Sequence, residues 1–168
     1  MIKILNFEPQ FAASLPETHA LMRLSNLTIH PGVSRIILHG SRGLAGGYRP
    51  DSDIDLSLVV DKPEGTDIES PLDDVIETSL NHWQAAIEPD LAVIFDIRNC
   101  ELKCFDQSAW NEQICQISGM DCFGLYKTQK GFNGLVTNAG VQVKLMYPCL
   151  KIWQRSYDSP YLETINPP

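Results

Sequence analysis

One stretch limits the possible folds of this chain more than any other. It runs from Ile36 to Val60 and has three parts. Ile36-Ile37-Leu38 is apolar and β-branched, which favours a buried strand. Gly40 to Ser52 holds Gly40, Gly43, Gly46, Gly47 and Pro50, the residues of a tight loop. Ile54 to Val60 is a second apolar run, closed by Asp61, Lys62 and Pro63. Two buried strands joined by a glycine loop need a sheet with a covered face.

Asp53 and Asp55 head the second run. Strand side chains alternate, so both carboxylates belong to the same face. Side by side they repel, and neither is cheaply buried without a proton or a cation. A divalent metal resolves the conflict, and hard oxygen ligands favour magnesium. At the end of the first strand, Gly40 lets a ligand approach the backbone, and exposed amides beside the Ser41 hydroxyl suit phosphate oxygens. Arg42 adds a planar fork that fits phosphate. Arg49, beside Pro50, serves equally well as a surface partner of Asp51. A phosphate cradle next to metal-binding acids points to a nucleoside triphosphate held through magnesium.

Other uses of these residues fail on spacing. Asp51-Ser52-Asp53-Ile54-Asp55 imitates the start of an EF-hand loop. That loop requires Gly at its sixth position and Glu at its twelfth, where Leu56 and Lys62 stand. No Gly-Lys-Ser or Gly-Lys-Thr occurs, so there is no P-loop. The five cysteines do not repeat a Cys-x-x-Cys knuckle and read as reduced, buried thiols. His39 is expected to pack at the strand end.

Gly40-Ser41-Arg42-Gly43, followed by Tyr48-Arg49-Pro50-Asp51-Ser52-Asp53-Ile54-Asp55-Leu56, resembles the signature of the nucleotidyltransferase superfamily that includes DNA polymerase β. More narrowly it is similar to the small minimal and aminoglycoside nucleotidyltransferases. The resemblance covers roughly residues 33–97. It implies an α+β fold: a small mixed β-sheet with helices packed on one face, its first two strands antiparallel. It implies transfer of a nucleoside monophosphate from a triphosphate to an acceptor hydroxyl, with two magnesium ions. Asp53 and Asp55 are then metal ligands and catalytic acids, and Gly40, Ser41 and Arg42 bind the nucleotide. A third acid on the neighbouring strand would complete the set. Asp90 and Asp96 flank the apolar run Leu91 to Phe95 with equal parity. Asp90 is preferred, because the family's third acid often directly precedes its strand.

The rest of the chain frames this centre. A helix is expected over Glu17–Leu27. Ser70 reads as the N-cap of another, with Pro71 at its first position and acids following, running to about Glu88-Pro89. Asp90 to Ile97 reads as a third strand. Residues 106–118 suit a helix. Gly119 to Gly140, with five glycines, suits turns and short strands. Lys127, Lys130 and Lys144 could reach the nucleotide from the C-terminal half, but solvated lysines are the stronger expectation. The 168 residues fit one domain, with a core at 33–97 and a C-terminal extension at 98–168.

A net charge of -8 argues against an extensive nucleic-acid surface. No apolar stretch is long enough for a bilayer, and no signal-peptide core is seen, so a cytoplasmic protein is expected. The acceptor, a small molecule or a protein, has no signature in residues 98–168. Two alternatives remain: a nucleotide-binding regulatory module of the same fold, as in an antitoxin, with little turnover; and a metal-dependent glycosyltransferase, which also uses Asp-x-Asp but has less need of the Gly-Ser loop.

Overall fold

A computed structural model describes residues 4–61, 67, 69–95, 126–129, 132–135, 149–155 and 164–165. The apolar runs around the glycine loop form β2 (Val33–His39) and β3 (Ile54–Val60), following β1 (Ile4–Leu5) near the N-terminus. β2 and β3 are antiparallel, with Leu38 opposite Leu56 and His39 opposite Asp55. After β3 the chain forms α3 (Glu69–Leu80) and returns as β4 (Pro89–Phe95), parallel to β3. A parallel neighbour requires such a helical crossover. With β5 (Tyr126–Gln129), β6 (Phe132–Leu135) and β7 (Leu150–Gln154), the described residues form a six-stranded mixed sheet of order β6-β5-β4-β3-β2-β7. β8 (Thr164–Ile165) pairs with β1 in a separate two-stranded ribbon.

Alternation divides the sheet cleanly. Ile36 and Leu38, Ile54, Leu56 and Leu58, and Leu91 and Val93 are buried in one cluster. The same cluster takes Phe11 from α1 (Pro9–Ser14), Met22 from α2 (Pro16–Leu24) and Leu72, Val75 and Ile76 from α3. The described helices therefore cover one face, as an α+β sheet of this kind requires. On the opposite face the described residues form a small apolar cluster, Ile37, Val59 and Ile94, with Cys149 against it. The polar strand residues Asp55, Ser57 and Asp90 have the parity of that face.

Three boundaries differ from the sequence expectation. α2 stops at Leu24, not Leu27, because Asn26 takes a positive φ of 58° and Ser25 Oγ donates back to the Met22 carbonyl. α3 begins at Glu69, which puts Ser70 inside the helix; Asp67 Oδ1 accepts from the Ser70 N–H at 3.3 Å in the capping role. α3 also ends at Leu80, eight residues short of Glu88. There the Thr28 N–H donates to the Ser79 carbonyl and the Gln84 N–H to the Ser25 carbonyl, so the 25–28 turn supplies partners that another helical turn would have supplied. Trp83 and Ile87 still pack on the core, from a turn in which Trp83 Nε1 donates to the Ile87 carbonyl. The expected helix over 106–118 lies outside the described residues. No helix among the described residues is long and apolar enough to cross a membrane.

Candidate active site

The parallel register of β3 and β4 sets Asp55 directly beside Asp90. Directly paired residues share a sheet face, so two carboxylates stand abreast on the face opposite the helices. Asp53 precedes β3 by one residue and is exposed, whereas Asp55 and Asp90 are half-buried. The start of β3 is fixed against β4 by the Ile54 N–H, which donates to the Glu88 carbonyl at 3.1 Å. Asp96 lies outside the described residues.

Gly40 follows β2 with φ +77°, a left-handed conformation that glycine tolerates. Its bare Cα faces the Asp55 carboxylate so closely that a Cβ there would lie 2.0 Å from Oδ2 and 2.9 Å from Cγ. The carboxylate therefore occupies the room that the missing side chain leaves. Below it, His39 is 3% exposed and its Nε2 lies 2.9 Å from Ser57 Oγ, itself fully buried. The expected strand-end packing of His39 is observed, with a polar partner that the sequence did not reveal.

The loop from Ser41 to Ser52 is built on hydrogen bonds rather than on an apolar core. The Gly43 N–H donates to the Gly40 carbonyl at 3.0 Å, and the Gly46 N–H to the Gly43 carbonyl at 3.2 Å. Ser41 is half-buried at its start. Arg42 turns inward and is only 5% exposed. Its Nε donates to the Ser52 carbonyl at 2.7 Å, and its Nη2 to the Arg49 and Pro50 carbonyls at 3.1 and 3.2 Å. The guanidinium also lies 4.7 Å from the centre of the Tyr48 ring. From α2, Thr18 Oγ1 donates to the Arg42 carbonyl at 2.7 Å. Arg49 stays exposed, with Nε 3.5 Å from Asp51 Oδ1.

A chain match decides the family: a family model described as a nucleotidyltransferase domain matches residues 22–113, more than half of the chain. The chain belongs to the nucleotidyltransferase domain family. Neither the curated proteins nor the solved structures contain a match to it. The matched segment begins in the last turn of α2 and runs through β2, the glycine loop, β3 and α3 to β4 and beyond. The general kind of chemistry is thus transfer of a nucleotidyl group, with a nucleotide as substrate.

Of the sequence-derived site residues, the nucleotidyltransferase sheet brings Gly40, Asp55 and Asp90 together, with Asp53 and Ser41 at the adjoining loop ends. Arg42 is placed differently from a phosphate ligand, because its guanidinium is committed to carbonyls of the turn just before Asp53. Hydrogen bonds to a charged group contribute about 1.5–3 kcal/mol each. Arg42→Ala is therefore expected to lower stability by about 3 kcal/mol or more, a fall in Tm of roughly 6–12 °C for a chain of this size. Arg42→Lys should not restore it, since an ammonium cannot reproduce the planar fork. Thermal unfolding beside a triphosphate titration separates the roles. A phosphate-binding arginine would leave Tm unchanged and weaken affinity alone.

Proposed function

We propose that this nucleotidyltransferase moves a nucleoside monophosphate from a magnesium-bound triphosphate to an acceptor hydroxyl, with Asp53, Asp55 and Asp90 as its acids. The observation that carries this reading is the register pairing Asp55 with Asp90, at the glycine that gives Asp55 its room. Asp53, two residues before Asp55, has the same parity.

The donor set fits magnesium: three carboxylates are hard oxygen ligands at one end of one sheet face. Among the described residues no three His, Cys, Asp or Glu are gathered tightly enough to hold a metal by themselves. That is compatible with magnesium, which is commonly held by one or two carboxylates together with substrate phosphates rather than by an all-protein cage. Asp53 and Asp55 would hold the ion that carries the triphosphate, and Asp55 with Asp90 the ion beside the acceptor. When bound, magnesium supplies charge neutralisation at the phosphates and a lowered pKa at an attacking hydroxyl. Asp90 is the base proposed for that hydroxyl's proton. Gly40 and Ser41 offer backbone amide and hydroxyl to the phosphate oxygens. The rigid sheet contributes orientation, and the fixed carboxylates contribute electrostatic stabilisation.

Calorimetry with ATP, GTP, CTP and UTP, each with magnesium and with EDTA, tests the reading. At least one triphosphate should bind with magnesium and lose at least tenfold in affinity in EDTA, a difference of about 1.4 kcal/mol. Equal binding in EDTA would overturn the metal-bridged site. The second reading is a regulatory module of the same fold with little turnover. It predicts magnesium-dependent binding without pyrophosphate release over a panel of acceptors.

A further inference from the structure

His39 and Asp55 are a directly opposed pair at the loop end of β2 and β3. Residues so opposed share a sheet face, with Cβ atoms ~4.5–5.5 Å apart. Their side chains nevertheless lean in opposite directions. The Asp55 carboxylate turns toward the loop, where a Cβ on Gly40 would lie 2.0 Å from its Oδ2. The His39 imidazole turns inward along the sheet, where its Nε2 and Ser57 Oγ share a hydrogen bond of 2.9 Å. Ser57 stands two residues beyond Asp55 on the same face of β3. That diagonal across the strands is within the reach of a ring.

The space beneath Asp55 is thereby filled. His39, Ser57 and the neighbours of Ser57 in the register, Ile37 and Ala92, are all buried. A histidine and a serine are demanding occupants of such a place, because buried polar groups require partners and apolar side chains do not. Among the described residues Ser57 Oγ has no hydrogen-bond partner besides His39. Without the imidazole, the Asp55 carboxylate is the adjoining acceptor on this face of β3 for the buried hydroxyl. A carboxylate drawn inward to Ser57 would leave the gap at Gly40.

We infer that His39, anchored by Ser57, is a positioning residue for Asp55. The imidazole occupies the space under the carboxylate and engages the hydroxyl that would compete for it, so Asp55 stays turned toward the loop. The inference rests on the proposed role of Asp55 as a magnesium ligand. In this role His39 acts through Asp55, without touching nucleotide or metal. It accounts for a polar pair buried directly behind the acid, where packing alone is served by apolar residues.

The experiment measures affinity for the best-binding triphosphate by calorimetry over a series of magnesium concentrations, with thermal unfolding alongside. The proteins are the wild type, His39→Ala, His39→Gln, the double variant His39→Ala with Ser57→Ala, and Val75→Ala. Val75 is buried on α3 in the helix-covered cluster, so its variant loosens the core away from the site. His39→Ala should weaken triphosphate binding about tenfold or more and require more magnesium for it. His39→Gln, whose amide can partner Ser57, should recover most of the affinity. So should the double variant, which removes the competing hydroxyl. Val75→Ala should unfold at lower temperature and bind as the wild type does. If His39→Ala fails to fold, His39→Leu, alone and with Ser57→Ala, takes its place. Wild-type-like affinity and magnesium dependence in that single variant overturn the role of His39 and leave the acid site standing. A loss that neither His39→Gln nor the double variant relieves, or an equal loss in Val75→Ala, makes His39 a packing residue and overturns the inference as well. A wild type that binds none of the four magnesium triphosphates overturns the site reading itself, and the positioning role with it.

Discussion

Gly40→Ala is expected to cost this protein its triphosphate chemistry while much of the sheet survives. Two effects add. The residue sits at φ +77°, where a side chain costs about 1–2 kcal/mol. The new Cβ would also lie 2.0 Å from Asp55 Oδ2, well inside any allowed contact, so the carboxylate must move by more than an ångström or the loop must lift. A displacement of that size at a reacting centre costs on the order of 10²-fold in rate. Gly46 supplies the control. It has φ +73°, but no atom lies within 4 Å of its would-be Cβ. Gly46→Ala therefore carries the backbone strain without the collision. Both variants should lose a similar, small amount of stability from strain. Only Gly40→Ala should also lose magnesium-triphosphate affinity and pyrophosphate release by two orders of magnitude or so. Equal losses in the two variants would show that Asp55 is not held in its working position by that gap.

The contrast between Gly40 and Arg42 shows where sequence reading succeeds in this chain and where it stops. The strands β2, β3 and β4 were legible because alternation is local: Leu56 and Leu58 separate from Asp55 and Ser57 within a few residues. The Asp53-x-Asp55 parity and the Gly-Ser turn are local as well. Arg42 looks like a phosphate ligand from its neighbours in sequence, yet its guanidinium turns onto carbonyls seven to ten residues ahead, at Arg49, Pro50 and Ser52. No periodicity encodes that. The pairing of Asp55 with Asp90 depends on where a parallel strand returns after α3, which also lies beyond local pattern. Trp83 and Ile87 misled in the opposite direction. Their spacing continues the apolar stripe of α3, but a turn can deliver the same side chains to the same core once the 25–28 segment has taken the helix end. β7 pairs with β2 from more than a hundred residues away, with a register shift between Ile36 and Ile37 that alternation alone does not reveal.

The second large effect is expected at Asp90, and it separates binding from turnover. Asp55 and Asp90 stand abreast, but Asp53 and Asp55 come from the loop end nearest Gly40 and Ser41, the proposed phosphate side. Asp90 comes from the neighbouring strand, the proposed acceptor side. Asp90→Asn keeps the shape of the side chain and removes its charge and its capacity to take a proton. Triphosphate affinity with magnesium should stay within a few-fold of wild type. Pyrophosphate release should fall by about 10²–10⁴, the usual contribution of a positioned general base. Asp55→Asn should differ in kind, since this residue is proposed to serve both ions: affinity and release should fall together. Asp96→Asn should be mild. The assay needs no known acceptor, because pyrophosphate release can be followed over sugars, nucleotides and candidate proteins. If Asp90→Asn releases pyrophosphate at the wild-type rate, the acceptor's proton goes elsewhere and the Asp55–Asp90 pair is structural. If the wild type binds magnesium triphosphate and releases none with any acceptor, the regulatory-module reading takes the place of the transferase, with the same acids holding the nucleotide.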